Sequence, residues 1–409
     1  MRKIVLPLFA LSFALFTSCS DDDVKKLVPE TTLAELVDAE GNWNDEAVGK
    51  FGEKLTNSTS ATGADMTKFA WTVAKGGTTL PTSLTADEVL EGEITADTSL
   101  DATKVYELKG DVYVRSGATL TIPAGTVIFA DPSNNLDSGT TDIKAADVLI
   151  VNKGGKLIAE GTAADPIIFT SGAATPAAGD WGGIVMLGEA PINVTNGNAE
   201  IADNVSDDTL PYGGTNASDN SGSLKYVILA YPGTQINTDA EYNGFSFYAI
   251  GSGTKLDYLE VVQGKDDSFE WFGGTVSASN LYGNNFDDTF DWAEGFVGTL
   301  DNIVAEQPAG ADHCIEADNL KANNAATPFS NPTVQNATFM SVGSDDAIKL
   351  RRGTKAQFNN IVIEIASGTK ANFEIDDVQT GQNILDGETT FTNVKIDTDN
   401  AKFAGNANL

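Results

Sequence analysis

The chain has 409 residues, 40 of them glycine, and a formal net charge of −33 from 25 basic and 58 acidic side chains. That excess of acid excludes nucleic acid as a partner, because phosphate binding needs a basic face. It suits hard divalent cations, Ca²⁺ above all, or the simple solubility of a surface protein. Abundant Gly, Asn, Thr and Asp fit short strands joined by turns and argue against long helices.

Arg2 and Lys3 precede an apolar run from Ile4 to Phe16 that is too short to span a bilayer comfortably. Phe16-Thr17-Ser18-Cys19 follows and resembles a bacterial lipobox, with Phe16 in place of the usual aliphatic residue. The expectation is a signal peptide over 1–18 and a lipid on Cys19. Ser20-Asp21-Asp22-Asp23 resembles the acidic signal that sends Bacteroidota lipoproteins to the cell surface. Residues 19–31 then form an acidic tether, and the protein is held on the outer membrane facing outward. Cys314 is the second of the two cysteines. With Cys19 acylated, no intrachain disulfide can form.

Thr32 to Leu55 has helical spacing, and Thr32 with Glu35 fits a capping box. In the following stretch, residues 66–90, Phe69, Trp71 and Val73 alternate like a strand. Residues 32–88 are therefore expected to form a partly helical N-terminal cap over the first open coil of a solenoid.

Residues 89–409 carry the repeats. GATLTIPAGTVIF aligns with GGKLIAEGTAADPIIF, which places Leu120 against Leu157 and Phe129 against Phe169. Asn193 to Ser223 reads as an inserted polar loop, and its Asp208-Thr209-Leu210 fits a short O-glycosylation motif on Thr209. Frames beginning at Leu224, Leu256, Leu300, Val334, Phe358 and Phe391, with a looser one at Val276, recur roughly every 20–35 residues. Buried parallel strands without helical crossovers predict a right-handed, single-stranded parallel β-helix. A jelly roll or a propeller is the rival fold, but propeller blades need about 40–50 residues each.

Four copies between Leu256 and Gly353 align an apolar slot, Phe269, Phe290, Ile315 and Ile348, with another two residues on, Trp271, Trp292, Ala317 and Leu350. A period of two makes both slots core. The residue between them faces outward and creates a column of Ser246, Glu270, Asp291, Glu316, Lys349 and Glu374. Stacked like charges are destabilising, so water, Lys349 or bound cations must offset them. Glu270, Asp291, Glu316, Lys349 and Glu374 are the candidate ligand face. Asp266-Asp267, Asp287-Asp288 and Asp345-Asp346 precede these strands, with Asp312-His313 in the equivalent place. They offer hard oxygen ligands to Ca²⁺ or, as turn residues, cap backbone N–H groups.

Gly343-Ser344-Asp345-Asp346-Ala347-Ile348 resembles a segment of polygalacturonase-type glycosidases, and Asn237-Thr238-Asp239 their Asn-Thr-Asp motif. That resemblance would give Asp345, Asp346 and His313 catalytic work in a polysaccharide hydrolase or lyase. The order of the motifs differs from the family's, and repeated acidic pairs are more often structural. His313 and Cys314 should point to opposite faces of a strand, and no second histidine exists for zinc.

From Gly92 on, GEITADTSLDATKVYELKGDVYV, SGATLTIPAGTVI, GKLIAEGTAADPIIFTS, GDWGGIVMLGEAPIN and DDSFEWFGGTV resemble a family of uncharacterised Bacteroidota surface lipoproteins with a β-helix body. The resemblance implies a fold and an address but no activity. The leading expectation is non-catalytic binding or adhesion at the outer membrane, with a glycan or an outer-membrane protein as partner. The alternative is a polysaccharide-degrading enzyme.

Overall fold

The computed structural model describes residues 32–134, 146–207, 209–236, 241–342, 345–366, 371–396 and 400–408. Cys19, Ser20, Asp21, Asp22 and Asp23 lie outside the described residues, as do Asp208, Asn237-Thr238-Asp239, Gly343 and Ser344.

Within Leu33–Leu409, every registered strand pair is parallel, and each strand bonds to its equivalent one coil on. This is a parallel β-helix. The recurring frame explains the winding. Its first and fourth residues point inward, as Leu256 with Leu259 and Leu300 with Ile303. The third residue has positive φ and turns the chain between two faces: Tyr226, Tyr258, Asn280, Asn302, Asn336, Asn360 and Asn393, with φ of 50–57°. Asparagine tolerates this left-handed conformation better than most side chains. The register puts Ala278, not Val276, in the first slot of the looser copy. Val276 is also buried, which is why hydrophobicity alone misplaced the frame.

The two apolar slots stack as expected. Phe245, Phe269, Phe290, Ile315, Ile348 and Phe373 form one interior column, and Phe247, Trp271, Trp292, Ala317, Leu350 and Ile375 the next. Leu120 pairs with Leu157, but Ile128 rather than Phe129 lies beside Phe169, and Phe129 pairs with Thr170. One residue of slip reverses the face.

The N-terminal segment differs most from expectation. The α-helix is only α1 (Asp45–Lys54), capped by Asn44, while Leu33–Glu35 is a single 3₁₀ turn. α1 covers the last coil, not the first. Phe51 packs against Trp43 and Phe403, with ring centroids 5.5 and 5.9 Å apart, and the helix lies beside α2 (Val378–Leu385). Leu55–Asn57 then adds a parallel strand to Thr390–Lys395. From there the chain returns along the outside as a strap. Ser58 meets Asn393, Thr62 meets Asn360, Asp65 meets Asn302, and Val73 and Ala74 meet Glu260. Phe69 and Trp71 are not strand residues. Phe69 closes a 3₁₀ turn (Met66–Phe69) and Trp71 follows it, and the two plug the outer face against Tyr282 and Tyr226. The first coil keeps an exposed edge at Glu88–Ile94, where Glu88, Glu91 and Glu93 discourage further strand pairing.

The inserted loop covers a different outer face. Ile201, Ala202, Leu210 and Tyr212 pack on Val148, Ile150, Val185, Leu187 and Tyr248, making a second core outside the coil.

Candidate functional site

Where the inserted loop ends, the outward column begins. Ser246, Glu270, Asp291, Glu316, Lys349 and Glu374 are direct neighbours on successive strands, at the ~4.8 Å spacing of stacked strands. The acidic turns border one side. Glu294, whose carboxylate accepts the Tyr212 hydroxyl, borders the loop.

The turn-capping expectation for the acidic pairs is met in the first two of them. Asp267 accepts the backbone N–H of Asp288 at 3.1 Å, and Asp288 accepts that of His313 at 2.7 Å, so the second aspartate of the first two pairs caps the next coil. The same carboxylates also converge. Asp266, Asp267 and Asp287 place one oxygen each within 4.8 Å of one another, as do Asp267, Glu270 and Asp291. None of these five has a Lys, Arg or His within ion-pair distance among the described residues. Oδ1 of Asp291 is fully enclosed without a hydrogen-bond partner among them.

The other end of the column is compensated. Lys349 lies 3.7 Å from both Glu316 and Glu374. Arg351 pairs with Glu316 and Asp318, and Arg352 with Asp318. His313, only 2% exposed, sets Nδ1 3.0 Å from Asp288 and 3.1 Å from Asp312, with Nε2 3.6 Å from Glu374 and 3.9 Å from Asp345. Cys314 is buried on the opposite face, where its thiol meets Gln307.

Burial is the first cause of the protonation behaviour. It pushes Glu270, Asp291, Asp266 and Asp267 well above the carboxylate range, and neighbouring carboxylates push them further. Glu200 and Glu316 rise to about 7 and Asp312 to about 6, again chiefly through burial. Burial opposes charge on His313, but Asp288, Glu374 and Asp312 outweigh it and raise the imidazole to about 11.

Asp345 lies 3.9 Å from His313, as the enzyme expectation requires, but Asp346 is 1% exposed. Trp181, Trp271 and Trp292 are core, and Trp181 stacks on Phe169 and donates to the Ala230 carbonyl. Thr209 is exposed on the inserted loop. The sequence reading missed Glu200, Tyr212, Glu294, Asp318, Arg351 and Arg352. The Arg pair directly follows a repeat strand and was detectable; the loop residues carry no periodic signal.

A family model described as a pectate-lyase-like β-helix domain matches residues 92–408, more than three quarters of the chain. The chain belongs to the pectate-lyase-like β-helix family. No curated protein and no solved structure matches it. The family match begins after the strap, so α1 and residues 58–84 are additions to the part that the pectate-lyase-like model describes.

Proposed function

We propose that this protein is a surface-held, non-catalytic binding β-helix whose acidic column carries divalent cations, with Ca²⁺ the best-fitting ion. The carrying observation is the convergence of Asp266, Asp267, Glu270, Asp287 and Asp291 with no Lys, Arg or His within ion-pair distance among the described residues, Arg351 and His313 acting on Asp291 and Asp287 only from farther off. Hard carboxylate oxygens in threes match the ligand chemistry of Ca²⁺, and a cation would also relieve the like-charge stacking. The ions would present remaining coordination positions to a carboxylate-bearing glycan. A lipid on Cys19 would hold the protein on the outer membrane. The Bacteroidota surface-lipoprotein resemblance and the signal at Ser20, Asp21, Asp22 and Asp23 support that address.

The state of the basic groups supports a non-catalytic role over a lyase, which needs a free base. His313, Lys349, Arg351 and Arg352 are each committed to carboxylates. Burial opposes charge on Lys349 and Arg351, yet their acidic neighbours still hold both above their ordinary values. None is a neutral base ready to take a proton.

Calorimetric titration of the EDTA-treated protein with Ca²⁺ tests the cation reading. At a hundredfold excess over Kd, binding stabilises by about 2.7 kcal/mol, a melting shift of several degrees. Glu270→Gln with Asp291→Asn should abolish it. An unchanged melting temperature in Ca²⁺ and EDTA sinks the cation role. Release of reducing ends or unsaturated products from acidic polysaccharides would instead establish the enzyme.

A further inference from the structure

A groove of 730 Å³ lies on another face, between the strap and the column of bend residues. Its walls are polar, half-buried and already fixed in place. Asn302 donates to Asn280 at 2.8 Å, and Asn280 to Asp257 at 2.7 Å. A second run passes from Asn393 to Asn360 to Asn336 and ends on Asp301, the last step 2.7 Å. Each run of aligned amides therefore ends on a carboxylate, and such chains polarise one another. The strap occupies part of the column, through Asp65 N–H on Asn302 and Thr62 N–H on Asn360. On the coils leading up to and including the Asn302 anchor, Asp257, Ser279 and Asp301 line the groove, Tyr258 walls one end, and Lys68 borders it from the strap.

We propose that this groove binds a neutral oligosaccharide laid along the solenoid axis. Hydroxyl groups both donate and accept, which matches a lining of carboxylate, amide and hydroxyl side chains. Asp257 and Asp301 each receive one amide N–H at the distances above, Asp257 with Lys225 3.9 Å from its other oxygen, and both retain acceptor capacity for sugar hydroxyls. The half-buried ring of Tyr258, stacked on Tyr226 at 4.3 Å, supplies a rigid apolar surface at the groove's end. Asp65, Asp257 and Asp301 against Lys68 make the lining net negative, which disfavours a polyanion. From Tyr258 to Asn360 is four coil steps, about 19 Å at strand spacing, so a chain is favoured over a single sugar. Pre-set side chains lower the ordering cost of binding.

The test is calorimetry of the whole protein, in EDTA, with cellohexaose, xylohexaose, mannohexaose and maltohexaose. EDTA separates this site from the acidic column. At least one hexasaccharide should bind, and its trisaccharide more weakly. Asp301→Ala and Tyr258→Ala should each weaken binding at least tenfold. Ser279→Trp, which blocks the groove and leaves both amide runs intact, should do the same at an unchanged melting temperature. Glu270→Gln should leave binding as it is. Failure of all four sugars, indifference to Ser279→Trp, or loss in Glu270→Gln would each overturn the proposal.

Discussion

Asparagine stands at the bend of five successive coils, at Asn280, Asn302, Asn336, Asn360 and Asn393, for two separable reasons. The backbone there has positive φ, which costs most L-residues about 1–2 kcal/mol. The side-chain amide also links coils and, at Asn302 and Asn360, receives the strap. Asn302 is the clearest place to separate them, because its amide donates to Asn280 while accepting Asp65 N–H at 2.6 Å. Asn302→Ala loses both contributions and should destabilise by about 2–3 kcal/mol. Asn302→Gly keeps the backbone freedom and should recover about 1 kcal/mol of that, less its greater unfolded-state entropy. Thermal melts of the two variants measure the difference, and equal melting temperatures would mean the bend conformation is immaterial.

The strap is the element on which the outer surface of the coil depends. Glu260 is fully buried on that surface and accepts the N–H groups of Val73 and Ala74 at 2.8 and 2.9 Å. Glu260→Ala leaves those two donors without their acceptor, a cost of about 1–3 kcal/mol each where they stay dry. The expected outcome is faster amide exchange and proteolysis over residues 66–80, with the coil interior unaffected. Exchange that rises equally in the Phe269 column would show that strap and coil open together. Gly63 marks how close the strap lies: a Cβ there would collide with the Thr338 hydroxyl. The coil was legible in the sequence because each strand repeats an inward slot, as Phe269, Phe290 and Ile315 do. The strap was not. Phe69 and Trp71 alternate like a strand, but their partners Tyr282 and Tyr226 are far along the chain, and periodicity cannot report which end of a solenoid a segment reaches. The site was half legible for a related reason. The column Glu270–Glu374 follows from strand period, whereas Glu200, Tyr212 and Glu294 meet it only through the folding of a non-repeating loop.

At the scale of the whole molecule, a net charge of −33 is packed around a coil with raised carboxylates on two faces. Glu260 on the strap face and Glu200 and Glu316 by the column are each raised, chiefly by burial, to about 7. A carboxyl with a raised native value binds its proton more tightly folded than unfolded. Its contribution is complete below the unfolded value near 4.5 and is lost as pH rises through the native value. His313, raised from 6.5 to about 11, has the same sign over a higher window. The metal-free protein should therefore melt at a lower temperature at pH 8 than at pH 6. General self-repulsion of the acidic surface adds in the same direction. Divalent cations compete with protons for the column carboxylates, so the Ca²⁺-induced rise should be larger at pH 8 than at pH 6. Melting curves at both pH values, with EDTA and with Ca²⁺ at constant ionic strength, give the four numbers needed. A Ca²⁺ increment independent of pH would place the ion away from the raised carboxylates. An increment that Mg²⁺ reproduces in full would point to diffuse screening, because Mg²⁺ demands a tighter octahedral set than a row of stacked carboxylates offers.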